Sequence, residues 1–419
     1  MMIKMENRGI IADLHLHSKY SRATSKNLDL ENLEKYARIK GIDLLGTGDF
    51  THPIWFKELK SSLKEDGSGI LTTKTGFKFV LTVEVSNIYT QGGKGRRVHS
   101  IILAPSLDIA SQINEALGKK GRLDYDGRPI FGFSCAELVE MMKSVSSEIE
   151  IIPAHAWTPW FSIFGSMSGF NSIKECFLDQ SKHIHAIETG LSSNPEMNWK
   201  ISSLDNVNLV SFSDAHSFWP WRLGREATIF RKGRSYRDII SSIRTGEGIN
   251  ATIEVDPNYG KYHLDGHRAC GICMEPKEST KHKNICPKCS GPMTIGVLNR
   301  VEELADREKS RPANAKPFFS LIPLSDIIAA IIGSPVASKK TWSVYNTLIG
   351  NFKSEFNVLL DADEKELLKY VDRKIADAIL LNRHGQVKIK PGYDGVYGEP
   401  VFDNSVQKPT KAQKSLSNF

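Results

Sequence analysis

Near the start of the chain an apolar run ends in a pair of histidines, Ile10-Ile11-Ala12-Asp13-Leu14-His15-Leu16-His17-Ser18. Side chains on a strand alternate faces, so His15 and His17 point the same way. Two imidazoles on one face at a strand end fill a core poorly and hold a metal well. The same grammar recurs down the chain. Residues 79–83 run into Glu84, Val98 into His99, Ile151-Ile152-Pro153-Ala154 into His155, and residues 209–213 into Asp214-Ala215-His216. One strand stopping on a histidine is more often structural than catalytic. Five strand-like runs that each stop on His, Asp or Glu point to a common metal-binding mouth.

A second metal system follows. Cys270-Gly271-Ile272-Cys273 is separated by twelve residues from Cys286-Pro287-Lys288-Cys289. Thiolates two residues apart in a turn both reach one tetrahedral ion, so Cys270, Cys273, Cys286 and Cys289 are expected to hold one structural zinc. Four thiolates leave no open position, and the ion's task is to let a short segment fold without its own core. Between the pairs, Lys277, Lys281, His282 and Lys283 read as a solvated loop or as a phosphate-contacting face. The remaining Cys135 and Cys176 lie in apolar company and are expected to pack as small hydrophobes.

These residues need a scaffold. A chain of 419 residues, 40% hydrophobic and 25% charged, can bury a core and divide into two or three domains. Strand-like runs alternate with amphipathic stretches through the first half, which argues a parallel α/β layout. Asn27 is expected to cap a helix whose Leu30, Leu33 and Ala37 share a face and which stops at Gly41, with residues 42–46 as the next strand. Barrels of that kind carry their sites at the C-terminal strand ends, where the ligands above fall. A break follows at Asp256-Pro257-Asn258-Tyr259-Gly260. Residues 301–382 read as mainly helical, with one helix opening at Pro323 and another over 363–381. Beyond them, Lys388, Lys390, Gly392, Tyr393, Gly395 and Tyr397 suit either a stacking contact with nucleic acid or an ordinary aromatic hairpin.

Composition excludes some classes. Six cysteines in clusters do not make a secreted disulfide scaffold. Residues 1–9 lack an apolar signal core, and no run approaches the ~18 apolar residues of a membrane span. A cytoplasmic, nucleoid-associated location with no membrane partner is expected. A net charge of +7 is compatible with a polyanionic partner without identifying one.

The motifs Asp13-Leu14-His15-Leu16-His17-Ser18 and Ser213-Asp214-Ala215-His216 resemble those of the polymerase and histidinol phosphatase (PHP) superfamily. The resemblance implies a distorted (β/α)7 barrel over residues 1–256, with His15, His17, Glu84, His99, His155, Asp214 and His216 on metal-ligand positions. Where the superfamily usually has Thr-Asp-His, this chain has Thr47-Gly48-Asp49, so Asp49 stands for a histidine ligand, with His52 as the alternative. The order of parts is similar to that of the endonuclease Q family. That resemblance implies a four-cysteine zinc module at 257–300, a mainly helical C-terminal domain at 301–402 and a flexible tail at 403–419. It also implies cleavage of DNA 5′ to deaminated bases (uracil, hypoxanthine, xanthine) or abasic sites.

With this ligand set, three carboxylates bring about −3 against +4 to +6 from two or three divalent ions, so the cluster stays positive and favours a phosphodiester or phosphomonoester. Mixed imidazole and carboxylate ligation suits zinc, manganese or iron over a pure magnesium site. Asp214 is the expected catalytic carboxylate, bridging metals or accepting the water proton. The loop Gly92-Gly93-Lys94-Gly95-Arg96-Arg97 beside His99 is either a phosphate grip through Lys94, Arg96 and Arg97 or a plain hairpin turn. Trp157 and Trp219, on loops after His155 and His216, are expected to stack on an extruded nucleotide. At the end of the chain, Gln413, Leu416 and Phe419 have the spacing of a sliding-clamp-binding peptide. Three readings stand: a damage-specific endonuclease, a small-molecule phosphatase of the PHP type, and a non-catalytic nucleic-acid-binding protein.

Overall fold

Strands with β-branched and aliphatic residues on both faces can bury both sides, and such strands form the centre of the fold. The computed structural model describes residues 9–308 and 310–402. In chain order the central strands are β1 (Ile10–Asp13), β2 (Leu44–Gly46), β3 (Lys78–Gln91), β4 (Lys94–Ala104), β5 (Glu150–Pro153), β6 (Ala186–Glu188) and β7 (Asn208–Val210). β1, β2 and β3 are parallel neighbours, and β6 pairs in parallel with β7. Bonds just past the strand ends link the rest into a ring. Ala156 N–H donates to Glu188 O at 2.9 Å, and His17 N–H donates to Ala215 O at 3.1 Å, where Leu16 and Ala215 form a parallel bridge. The lower half of β1 also pairs with β8 (Ala227–Phe230), which leads antiparallel into β9 (Ile249–Glu254).

The wholly parallel layout does not hold. β4 runs antiparallel to both β3 and β5. Its cause is local: Gly92 and Gly93 take φ of 61° and 71°, the two-residue turn that folds a strand straight back. The hairpin is long, so Glu84 and His99 sit within strands rather than at their ends.

Asp29, not Asn27, caps the helix Leu30–Lys40, its side chain accepting from Asn32 N–H, and Gly41 ends it at φ 96°. The region expected as one helix over 363–381 is two, Glu364–Leu367 and Arg373–Arg383. Asp372 accepts from Ile375 N–H at 2.9 Å and starts the second, an N-cap that outcompetes continuation. The helices Leu324–Ile332 and Glu355–Leu360 pack beside it, and Lys339–Phe352 packs on those two. Strand pairing and a buried ion pair tie this helical part to the ring. Phe318–Ser320 pairs in parallel with β9. Lys40, fully buried, places Nζ 2.7 Å from both Glu355 Oε1 and Pro220 O. Among the described residues no helix is long and apolar enough to cross a membrane.

Candidate metal centre

Strands and the loops that follow them converge on the mouth of the ring. His15 Nε2 lies 3.6 Å from both Glu84 Oε1 and Asp214 Oδ1. His17 Nε2 lies 3.3 Å from Glu84 Oε2 and 3.2 Å from Asp214 Oδ1. On the other side of the same carboxylate, Glu84 Oε1 is 2.6 Å from His99 Nδ1 and 3.1 Å from His155 Nε2. Two donor groups result, His15–His17–Glu84–Asp214 and Glu84–His99–His155, the ligand atoms of each within 4.8 Å of one another. A carboxylate common to both is what a bridged metal pair requires. His155 and Asp214 adopt φ of 30° and 48°, a left-handed backbone that costs about 1–3 kcal/mol outside glycine and that the fold imposes on both ligands. Asp13, buried beneath, accepts from Ser213 N–H and Oγ and from Gly224 N–H, anchoring both ends of the loop that carries Asp214.

Carboxylates behind the imidazoles decide which nitrogen faces the mouth. Glu188 bonds His15 Nδ1 at 3.0 and 3.1 Å and accepts from His155 N–H at 2.6 Å. The N–H is thereby held on Nδ1, and His15 Nε2 is buried with no hydrogen-bond partner, aimed at the position of an ion. Glu188 escaped the sequence reading, although Ala186-Ile187-Glu188 obeys the same rule that singles out Glu84.

Asp49, expected as a ligand, plays the corresponding supporting part for His17. Its Oδ1 is 3.0 Å from His17 Nδ1, and its Oδ2 accepts from Ser18 N–H, Ser18 Oγ and Ser21 Oγ. A Cβ on Gly127 would fall 2.2 Å from Asp49 Oδ2, so that side of the carboxylate is sealed. Asp49 lies outside both donor groups. So does His52, whose ring stacks on Tyr20 at 4.5 Å. His216 borders the first group without joining it, its ring 4.6 Å from that of His17 and its Nδ1 bonded to Asp214 O. Arg128, which no motif announces, brings Nη1 to 3.0 Å from Glu84 Oε2 with its side chain 22% exposed at the mouth. Asp126 Oδ1 accepts the backbone N–H groups of Arg22 and Arg128 and shapes that loop.

Burial disfavours charge throughout the cluster; it prevails at His99, pushed down to about 4, and at His216, while the pairings overcome it at His15, His17, Glu84 and Asp214. For His15, burial acts against the imidazolium, but Glu188, Glu84 and Asp214 outweigh it and raise the pKa well above the ordinary value. His17 is raised in the same way, by Asp49 first. Glu84 and Asp214 are held well below the usual carboxylate range despite burial, by His99 and Arg128 in one case and His216 and His15 in the other. The site therefore stabilises positive charge between its carboxylates. Together with the unpartnered His15 Nε2 and the imidazole–carboxylate donor set, this fits divalent ions.

The cysteine cluster differs from its expected form. The ligand atoms of His267, Cys270, Cys286 and Cys289 lie within 4.8 Å of one another, and Cys273 is not among them. Two equivalent turns explain it. His267-Arg268-Ala269-Cys270 is followed by Gly271 at φ 65°, and Cys286-Pro287-Lys288-Cys289 by Ser290 at φ 58°. In each, the left-handed residue comes directly after the second ligand. Cys273 lies one strand further on, opposite Gly266 and exposed. Burial pushes the Cys286 thiol up, but the N–H groups of Cys289 and Lys288 and the His267 ring outweigh it, leaving a pKa of about 6. A thiolate-rich set with one imidazole suits zinc.

The expected nucleic-acid contacts separate. Trp157 is buried and donates Nε1–H to Asn198 Oδ1 at 2.8 Å, so it is not free to stack on a base. Trp219 is half-buried in a cluster with Trp221 and Trp342, joining the Asp214 loop to the C-terminal helices. Arg96 is a buried strut, bonded to Glu175 and to backbone carbonyls and lying 4.0 Å over Phe170. Lys94 is exposed at the hairpin end and Arg97 is exposed beside the mouth. Gln413, Leu416 and Phe419 lie outside the described residues.

Comparison with known proteins places this arrangement. Residues 323–386 match the family described as MJ0043 C-terminal domain. Over 265 residues the chain is 35% identical to the uncharacterized protein MJ0043 of Methanocaldococcus jannaschii, covering 62% of this chain but only 32% of that protein, so it spans about a third of that relative's length. It is 29% identical over 411 residues to the uncharacterized protein YqxK of Bacillus subtilis, covering 93% and 98% of the two. The crystal structure of the lesion-specific endonuclease PfuEndoQ from Pyrococcus furiosus superposes with a TM-score of 0.85 at 32% identity, over 96% of this chain and 97% of that one. Endonuclease Q in complex with a 27-mer duplex bearing an abasic lesion at the active site superposes at 0.86 and 33% identity, over 96% and 98%. With about a third of the residues identical along nearly the whole of both chains, and one fold between them, this chain belongs to the endonuclease Q family.

Proposed function

We propose that the protein is a metal-dependent DNA repair endonuclease that hydrolyses the phosphodiester 5′ to a deaminated base (uracil, hypoxanthine or xanthine) or an abasic site. The observation that carries this reading is the full-length likeness to an endonuclease seen with lesion-bearing duplex DNA. Its support within the chain is the pair of donor groups sharing Glu84. Bound divalent ions, whether zinc, manganese, magnesium or iron, would acidify water and neutralise charge on the phosphodiester. His15, His17, Glu84 and Asp214 would hold one ion and Glu84, His99 and His155 another. Glu188 and Asp49 keep the imidazoles of His15 and His17 in the ligating tautomer. Asp214, partly exposed at the mouth, is positioned to take the proton of the attacking water. Arg128 offers the substrate phosphate a fixed cation.

The test is a set of end-labelled duplexes, each with one uracil, hypoxanthine, xanthine or abasic site, incubated with manganese, magnesium or zinc. A single cut 5′ to the lesion is expected, lost on chelation and recovered on adding metal. Asp214→Asn should bind the same DNA yet cut it on the order of 10²–10³-fold more slowly. Equal cutting of undamaged duplex, or near wild-type cutting by Asp214→Asn, would defeat the reading.

The proposal extends to the remaining parts, divided as barrel to residue 256, zinc module to 300 and helical domain to 402. For the module, Cys286→Ser and His267→Ala are each expected to release about one zinc per chain, and Cys273→Ser to release none. Zinc analysis giving the opposite pattern would restore the four-thiolate arrangement. A sliding-clamp contact by Gln413, Leu416 and Phe419 is supported by residue spacing alone. Removal of residues 411–419 should abolish binding to the host clamp and leave cleavage of short duplexes unchanged. Equal clamp binding with and without those residues would discard that contact.

A further inference from the structure

We infer that the outer part of the β3–β4 hairpin, with the loop at 158–169, is a subsite for the nucleotide adjoining the scissile phosphate. The inference rests on the endonuclease reading and adds to it a named place for a second nucleotide.

Strand register defines the surface. Ser86 pairs with His99, Ile88 with Arg97 and Thr90 with Gly95. Alternation of side chains then sets Glu84, Ser86, Ile88 and Thr90 on the same face as His99, Arg97 and Gly95. The opposite face, with Tyr89 and Arg96, packs on Phe170 and is closed. One continuous surface thus runs from two metal-ligand candidates outward along the hairpin. Arg97 is two residues beyond His99, about 7 Å along the strand, on the order of one nucleotide step of an extended strand.

Beyond His99 this surface opens into a cavity of about 350 Å³ whose lining includes Ile88, Thr90, Arg97, Trp160, Met167 and Ser168, and which also reaches Tyr89 and Arg96 at the hairpin. That falls within the ~300–1,000 Å³ of small-ligand pockets. Its chemistry is mixed in a particular way. Ile88 and Met167 are 37% and 52% exposed, large apolar side chains left in water beside the half-buried Trp160. Arg97 is exposed, its guanidinium 5.7 Å over the Phe161 ring, and no ion pair engages it among the described residues. A flat apolar wall with one unpaired guanidinium matches a ligand that is aromatic on one side and anionic on the other. An extended peptide is a poor fit, because the backbone edge of β4 is already occupied. Arg97 N–H donates to Ser168 O at 3.3 Å and His99 N–H donates to Phe161 O at 3.0 Å. Those bonds also make the far wall rigid. The subsite therefore takes a nucleotide with its base or sugar against Trp160, Ile88 and Met167 and its phosphate at Arg97.

The test uses the full-length protein and lesion-bearing duplexes shortened one nucleotide at a time on each side of the scissile bond. For the wild type, loss of the nucleotide that fills the subsite should weaken binding by about tenfold. In Arg97→Gln and in Trp160→Ala, affinity for the long duplex should fall by a similar factor. The step at that nucleotide should disappear, because the group that reads it is gone. Met167→Glu, at an exposed position, provides the same readout should Trp160→Ala fail to fold. If the wild type cuts none of these duplexes, the endonuclease reading fails. If it cuts them and the variants keep the nucleotide-dependent step, the subsite is overturned and the endonuclease reading stands.

Discussion

Glu84→Gln is expected to abolish strand cleavage, lowering the single-turnover rate by at least about 10³-fold, and to empty the metal centre. The amide keeps the size of the side chain and loses its charge. Glu84 is buried and faces four imidazoles and a guanidinium: His15 and His17 on one side, His99 and His155 on the other, and Arg128 at 3.0 Å. No other described residue belongs to both donor groups. Without its charge, both groups lose the anionic ligand they share: one keeps a single carboxylate and the other keeps neutral imidazoles alone, too little negative charge to hold a divalent ion. Metal analysis should show the loss of more than one barrel ion per chain, with the ion of the His267–cysteine cluster retained. Asp214→Asn, which touches one group alone, should lose less metal. A Glu84→Gln protein with full metal content and wild-type cleavage would remove Glu84 from the centre.

Lys40→Ala is expected to cost about 3–5 kcal/mol of stability, a large effect for a change outside the candidate metal centre. Lys40 and Glu355 are both fully buried, 2.7 Å apart. Glu355 also accepts from Leu324 N–H at 3.0 Å and from Tyr345 OH at 2.8 Å, so its charge organises the start of one helix and the middle of another. Deleting the ammonium leaves that carboxylate buried with neutral partners only. It also frees Pro220 O, on the loop that carries Asp214. The double variant Lys40→Met with Glu355→Gln should recover part of the loss, because the unpaired charge is gone while one acceptor remains. Denaturant midpoints of the wild type and the two variants measure this. A cost below about 1 kcal/mol for Lys40→Ala would mean that the pair is solvated.

Much of the centre was legible in the residue order. His15, His17, Glu84, His99, His155 and Asp214 announce themselves because an apolar run that stops on a ligating side chain is a local pattern, and six of the eight expected ligands fall in the two donor groups. The first helix and its stop at Gly41 were legible for the same reason, since a cap acts within a few residues. What tertiary structure decided is which way a side chain turns when several partners compete for it. Asp49 faces Ser18 and Ser21, and not the mouth, because the loop bearing Gly127 closes over it. Glu188 meets His15 across 173 positions of chain. Trp157 is drawn into the core by Asn198. His267 takes the place expected of Cys273 because the residue after Cys270, not the one after Cys273, turns left-handed. Spacing in sequence shows which groups are able to meet; only the closed ring of strands, with its antiparallel β4, settles which of them do.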